Sequence, residues 1–131
     1  SYVTSNTILD STSNRHVPDK NMSYIIRANA RLMGMKKAYY SDGSETDSTW
    51  FENDGIVNKK SMLGPTTGIN GSDPISNYRI NDILIPGQWY VMGEYKSDHR
   101  KFVGHSIRKE KFEELIKIYV EHLLLLWTLP K

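Results

Sequence analysis

The sequence contains no cysteine, which excludes disulfides and thiolate-bound metals. It has no long hydrophobic run either. The longest apolar stretch, Leu123 to Trp127, is far below the ~18–20 residues that a membrane-crossing helix needs. An excess of one charge is also missing: 17 Lys and Arg stand against 15 Asp and Glu, for a net charge of +2. The short basic clusters Lys59-Lys60 and Arg108-Lys109-Glu110-Lys111 lack the aromatic interleaving that stacks on bases. No nucleic-acid partner and no transmembrane segment are therefore expected. The opening Ser1-Tyr2-Val3-Thr4-Ser5-Asn6 has neither an initiator Met nor a basic-then-apolar leader. It starts within what reads as a strand, so the chain is expected to be a fragment or a processed product.

What is present describes an ordinary globular domain: 131 residues, 38% hydrophobic and 24% charged. Residues 2–8 are β-branched and aromatic and predict a strand. Residues 10–21 carry Ser, Thr, Asn, Asp and Pro18, which is loop chemistry. Between Met22 and Met35 the residues Ile25, Ile26, Ala28, Leu32 and Met33 predict a short helix stopped by Gly34. Asp42-Gly43 marks a turn in a polar segment, and Gly64 to Pro74 reads as irregular. Gln88 to Tyr95 predicts a second strand, punctuated at its start by Pro86-Gly87. From Lys109 to Trp127, Phe112, Leu115, Ile116, Tyr119, Val120, Leu123, Leu126 and Trp127 form one apolar helical face, with Ser106 as its N-cap. The expected fold class is α/β: two parallel strands, a long irregular excursion between them, and a C-terminal amphipathic helix. That is the tail of an open α/β sheet, whose site residues sit on loops leaving the strand ends.

Two segments carry chemistry. Trp50-Phe51-Glu52-Asn53-Asp54-Gly55-Ile56-Val57-Asn58 is followed downstream by Ser97-Asp98-His99, in the order Asp then His that α/β-hydrolase triads use. Asn-Asp-Gly alone is a common turn, and a loop His alone is usually just solvated. Here apolar flanks would hold Asp54 partly buried, and a buried carboxylate needs a hydrogen-bonding partner, which an imidazole can supply. Asp98 is expected to orient the loop rather than to serve as the acid. No nucleophile elbow accompanies the pair. The single Gly-x-Ser, Gly104-His105-Ser106, lacks a closing Gly and follows the His. His16, His105 and His122 are not at metal-ligand spacing.

Taken in order, several segments resemble the C-terminal third of secreted bacterial triacylglycerol lipases of the Geobacillus-type and staphylococcal group. They are Tyr2-Val3-Thr4-Ser5-Asn6-Thr7, Pro18-Asp19-Lys20-Asn21-Met22, Trp50 to Asn58 with Ser61-Met62-Leu63-Gly64-Pro65, Gly87-Gln88-Trp89 through Met92-Gly93-Glu94-Tyr95, and Asp98-His99 through Phe102-Val103-Gly104. The resemblance implies a partial α/β-hydrolase domain over residues 1–131, acting on lipid esters outside the cell. By it Asp54 is the triad acid and His99 the general base, while the Ser lies outside this chain, in a missing N-terminal part of the hydrolase.

Members of the group also bind calcium through acidic residues two and seven positions beyond the catalytic His, where this chain has Lys101 and Ser106. A hard cation takes carboxylate oxygens and an ammonium repels it, so no calcium and no other cofactor is expected. The group's zinc site draws on residues outside these 131. The alternatives are a non-catalytic fragment or degenerate homologue with a structural or interaction role, and a free-standing binding module.

Overall fold

The computed structural model describes residues 1–65, 74–105 and 107–129. The chain divides into two compact units, Ser1–His99 and Arg100–Lys131.

In the first unit, strand β1 (Tyr2–Ser5) pairs in parallel with β6 (Gly93–Lys96), in register Tyr2 with Gly93 through Ser5 with Lys96. These are the two parallel strands that the sequence predicts, and both are shorter than expected. The first apolar run breaks at Asn6, which is buried. Its N–H donates to the Asn53 carbonyl (3.1 Å) and its own carbonyl accepts from the Asp19 N–H (2.9 Å). The chain then continues as β2 (Thr7–Asp10). The second run breaks at Met92, whose N–H donates to the Ser1 carbonyl (2.6 Å). Trp89–Val91 on one side of it forms β5, which pairs in parallel with β4 (Ile75–Asn77).

The segment 10–21 is not all loop. Arg15–Pro18 forms β3, antiparallel to β2. The turn residues occupy the hairpin tip, where the Asp10 carboxylate accepts from the Thr12 N–H (3.0 Å) and the Ser13 hydroxyl (2.6 Å). Asn14 takes the left-handed conformation, φ 52°, which asparagine tolerates better than most residues. The returning strand is short and half polar, so its composition reads as an extension of the turn.

The helix expected over Met22 to Met35 is a 3-10 turn at Tyr24–Ile26 running into α1 (Arg27–Met33). Its buried face is Met22, Ile26 and Ala30, which form the apolar cluster of this unit. Ile25 and Leu32, expected on that face, are exposed. The spacing of four selects one stripe, and the neighbouring apolar residues fall off it. Gly34 caps α1, its N–H on the Ala30 carbonyl and its own carbonyl accepting from the His16 N–H (2.8 Å). A Cβ at Gly34 would collide with the His16 carbonyl, so glycine lets the helix end meet β3. The one-turn helix α2 (Lys59–Met62) packs against β1.

The turn at Asp42-Gly43 is formed, with Gly43 at φ 83° and the Tyr40 N–H donating to the Ser44 carbonyl (2.8 Å). Of the irregular stretch Gly64 to Pro74, residues 66–73 lie outside the described residues. The short helix α3 (His99–Phe102) straddles the division between the units.

The second unit is dominated by α4 (Lys109–Thr128), one residue longer than the predicted helix. Its N-cap is Arg108, which makes no side-chain cap bond; Ser106 lies outside the described residues. The Tyr119 hydroxyl donates to the Phe102 carbonyl (3.2 Å), tying α4 back to α3. No helix among the described residues is long and apolar enough to cross a membrane.

Candidate active site

Asp54 is fully buried, and its carboxylate is completely occupied. Oδ1 accepts from the backbone N–H groups of Ile56 (2.9 Å) and Val57 (2.8 Å). Oδ2 accepts from the Thr4 hydroxyl (2.6 Å) and meets His99 Nδ1 at 3.0 Å. The turn that presents it follows from Asn-Asp-Gly. Gly55 sits at φ 94°, where a Cβ would also come within 2.7 Å of the Ile26 side chain. Buried Asn53 braces the turn, with Nδ2 donating to the carbonyls of Phe51 (2.8 Å) and Ala30 (3.2 Å) and Oδ1 accepting from the Gly55 N–H (2.9 Å). The expected apolar shielding is one-sided: Phe51 is buried but Ile56 is exposed. Burial of the carboxylate comes chiefly from the turn itself and from β1, whose Thr4 points at it.

His99 lies three residues beyond the end of β6 and opens α3. It is bound to Asp54 twice, through its ring and through its backbone N–H on the Asp54 carbonyl (3.1 Å). Oxygens that already accept three other hydrogen bonds take a donor as the fourth, so Nδ1 carries a hydrogen, and Nε2 is the nitrogen that presents a lone pair when the ring is neutral. The side chain is 38% exposed, and no described residue is hydrogen-bonded to Nε2. This arrangement can fix an imidazole in one tautomer, stabilise its cation and leave the far nitrogen free to take a proton.

Asp98, the other carboxylate of the motif, is also fully buried but turns elsewhere. It accepts from the Ser23 N–H (2.9 Å) and the Ser23 hydroxyl (3.2 Å). It therefore ties the segment before His99 to the entry of the α1 region, a longer reach than the local orienting role expected of it. Thr4 and Ser23 are the site residues that sequence reasoning missed. Each is a single hydroxyl far from the motif in the chain, 50 residues from Asp54 and 75 from Asp98, and no pattern marks either. A groove elsewhere in the first unit, lined by Ser5, Glu52, Lys59, Glu94 and Lys96, holds neither Asp54 nor His99.

Among the described residues no group of three or more His, Asp or Glu side chains could hold a metal ion. Of the two positions at which the resemblance implies calcium ligands, Lys101 offers no carboxylate oxygen, and Ser106 lies outside the described residues.

No protein-family model matches the chain. Its structure is similar to that of EstA from Clostridium botulinum, with a TM-score of 0.59 and 23% identity over 91% of this chain and 27% of that one. It is also similar to Staphylococcus hyicus lipase, with a TM-score of 0.65 and 22% identity over 91% of this chain and 29% of that one. The chain thus spans less than a third of the length of the solved structures it matches, 27% and 29%. Its fold is that of the C-terminal part of lipase and esterase folds, a mixed α/β arrangement with small parallel sheets and a C-terminal helix.

Proposed function

We propose that this chain forms part of a carboxylic ester hydrolase, a triacylglycerol lipase or esterase, and supplies the acid and the base of its Ser-Asp-His triad. The observation that carries this reading is the bond between His99 Nδ1 and a fully buried, four-fold bonded Asp54 carboxylate, with Nε2 bonded to none of the described residues. The similarity of fold to a lipase supports it. In the proposed reaction His99 Nε2 takes the proton of a Ser hydroxyl as that oxygen attacks the ester carbonyl, then returns it to the leaving alcohol. Asp54 holds the tautomer and stabilises the imidazolium. The Ser and the oxyanion donors come from outside these residues. No step runs through a metal at Lys101 and Ser106.

The test is hydrolysis of a short p-nitrophenyl ester by the natural protein that carries this sequence. His99→Ala should remove essentially all turnover while leaving the circular dichroism spectrum unchanged. The 131-residue chain alone should give no turnover sensitive to a serine-directed phosphonate. Full activity in a folded His99→Ala protein would overturn the base assignment, whereas a folded natural protein without ester turnover would favour a degenerate homologue with a structural role.

A further inference from the structure

A general base must be neutral before it can accept a proton, and it works best with a pKa near the operating pH. A carboxylate 3.0 Å from the ring works against that, because an adjacent negative charge favours the imidazolium. The geometry around Asp54 contains a counterweight. The Thr4 hydroxyl donates at 2.6 Å to Oδ2, the same oxygen that His99 Nδ1 uses, whereas the two backbone donors lie on Oδ1. Thr4 is itself buried, in the middle of β1 and in register with Tyr95 of β6, so it cannot swing away to water.

We propose that Thr4 is a positioning residue of the Asp54–His99 pair: by sharing Oδ2 it fixes that oxygen toward the ring and draws off part of the charge that faces His99 Nδ1. This inference rests on the general-base reading of His99. Hydrogen bonds to an ionised acceptor weaken its pull on a neighbouring proton, and among the described residues Thr4 is the one such donor on the oxygen that meets the imidazole. Because Oδ1 is anchored independently by two N–H groups, loss of Thr4 leaves Oδ2 in place with its charge less shared.

Among the described residues, no other charged side chain is hydrogen-bonded or ion-paired to Asp54 or to the His99 ring. From α2, which packs on β1, Lys59 is paired with Glu52 and Glu94, and Lys60 lies near Asp47. From β6, Glu94 is held by that same Lys59 and Lys96 is paired with Asp19. Next to His99 in the chain, Asp98 is bonded to Ser23, and Arg100 to His105. None of these is hydrogen-bonded or ion-paired to Asp54 or to the His99 ring.

The experiment compares Thr4→Val with Thr4→Ser in the natural protein. The His99 ring is titrated by NMR, assigned by its loss in His99→Gln, and kcat/KM is followed against pH. Thr4→Val should move the titration midpoint and the acid limb of the profile upward by up to about one pH unit. Activity should then fall by up to roughly tenfold on the acid limb of the profile and little on its alkaline side. Thr4→Ser should behave as the unmodified protein. If Thr4→Val fails to fold, Thr4→Ala against Thr4→Ser answers the same question, since the two differ only in the hydroxyl.

An unchanged midpoint in the hydroxyl-less variants, or a loss of activity equal at all pH values, would overturn the proposal. The NMR midpoint does not depend on turnover. A shifted midpoint in a protein whose ester hydrolysis survives His99→Ala would therefore support the role of Thr4 and sink the general-base reading instead.

Discussion

At the scale of single residues the two buried aspartates of the motif regions separate by what they touch. Asp54 meets His99, while Asp98 meets Ser23. Asp54→Asn would place an amide N–H or a carbonyl where an ionised acceptor is needed and favour the wrong tautomer. Loss on the order of 10⁴ in kcat has precedent for that change in a serine protease triad. Asp98→Asn keeps one acceptor for Ser23 but removes a charge from a fully buried site. Its main effect should be a lower melting temperature, with kcat reduced less than tenfold. Kinetics and thermal melts of both variants check the assignment, and equal losses of kcat would leave Asp54 without its distinct role. That a buried Asp54 would need a hydrogen-bonding partner, which an imidazole can supply, was legible in the sequence. Thr4 and Ser23 were not legible. A lone hydroxyl in a strand or before a helix becomes a partner only once the chain folds back on itself.

At the scale of elements, helix α4 and the parallel ends β1 and β6 were readable because their periodicity runs uninterrupted through the pattern that defines them. The rest was hidden by short-range rules that tertiary bonds override. Each apolar run serves two sheets, split where Asn6 and Met92 are recruited by distant backbone groups. The β3 strand hides inside turn-like composition. Asp19 shows what such junctions contribute. It is buried, it accepts from the Asn21 N–H (2.7 Å), and it faces Lys96 at the end of β6 (3.4 Å). Its pKa lies below the ordinary value of 3.8, chiefly through the Asn21 hydrogen bond, against desolvation and with help from Lys96. Because folding lowers this pKa, the stability it contributes is complete above 3.8 and disappears as pH falls through the lower folded value. Asp19→Asn should therefore melt below the unmodified protein at pH 7, and the two curves should converge by about pH 2. A gap that stays constant across that range would remove the ionised carboxylate from the account.

At the scale of the whole molecule, the described sheets are all two-stranded: β1 with β6, β2 with β3, and β4 with β5. Two of the three are parallel, and parallel sheets are ordinarily covered on both faces and continued by further strands. In the first unit the buried apolar side chains are few, with Met22, Ile26 and Ala30 as the connected cluster. Ile8, Leu9, Ile25, Leu32, Ile80, Ile83 and Ile85 are meanwhile exposed, Ile80 and Ile83 by 82% and 88%. A small core and open strand edges favour association over a stable monomer. The polypeptide of these 131 residues, prepared alone, should elute ahead of a monomer on size exclusion, bind a hydrophobic dye and melt over a broad range. The solved structures it resembles have more than twice as much chain beyond the matched part, since it covers only 27% and 29% of them, and further chain is what would cover such faces. A natural protein that carries these residues together with such further chain should accordingly show a sharper transition and little dye binding. A clean monomer with a single cooperative melt would show instead that the three small sheets suffice, and that the exposed isoleucines need no cover.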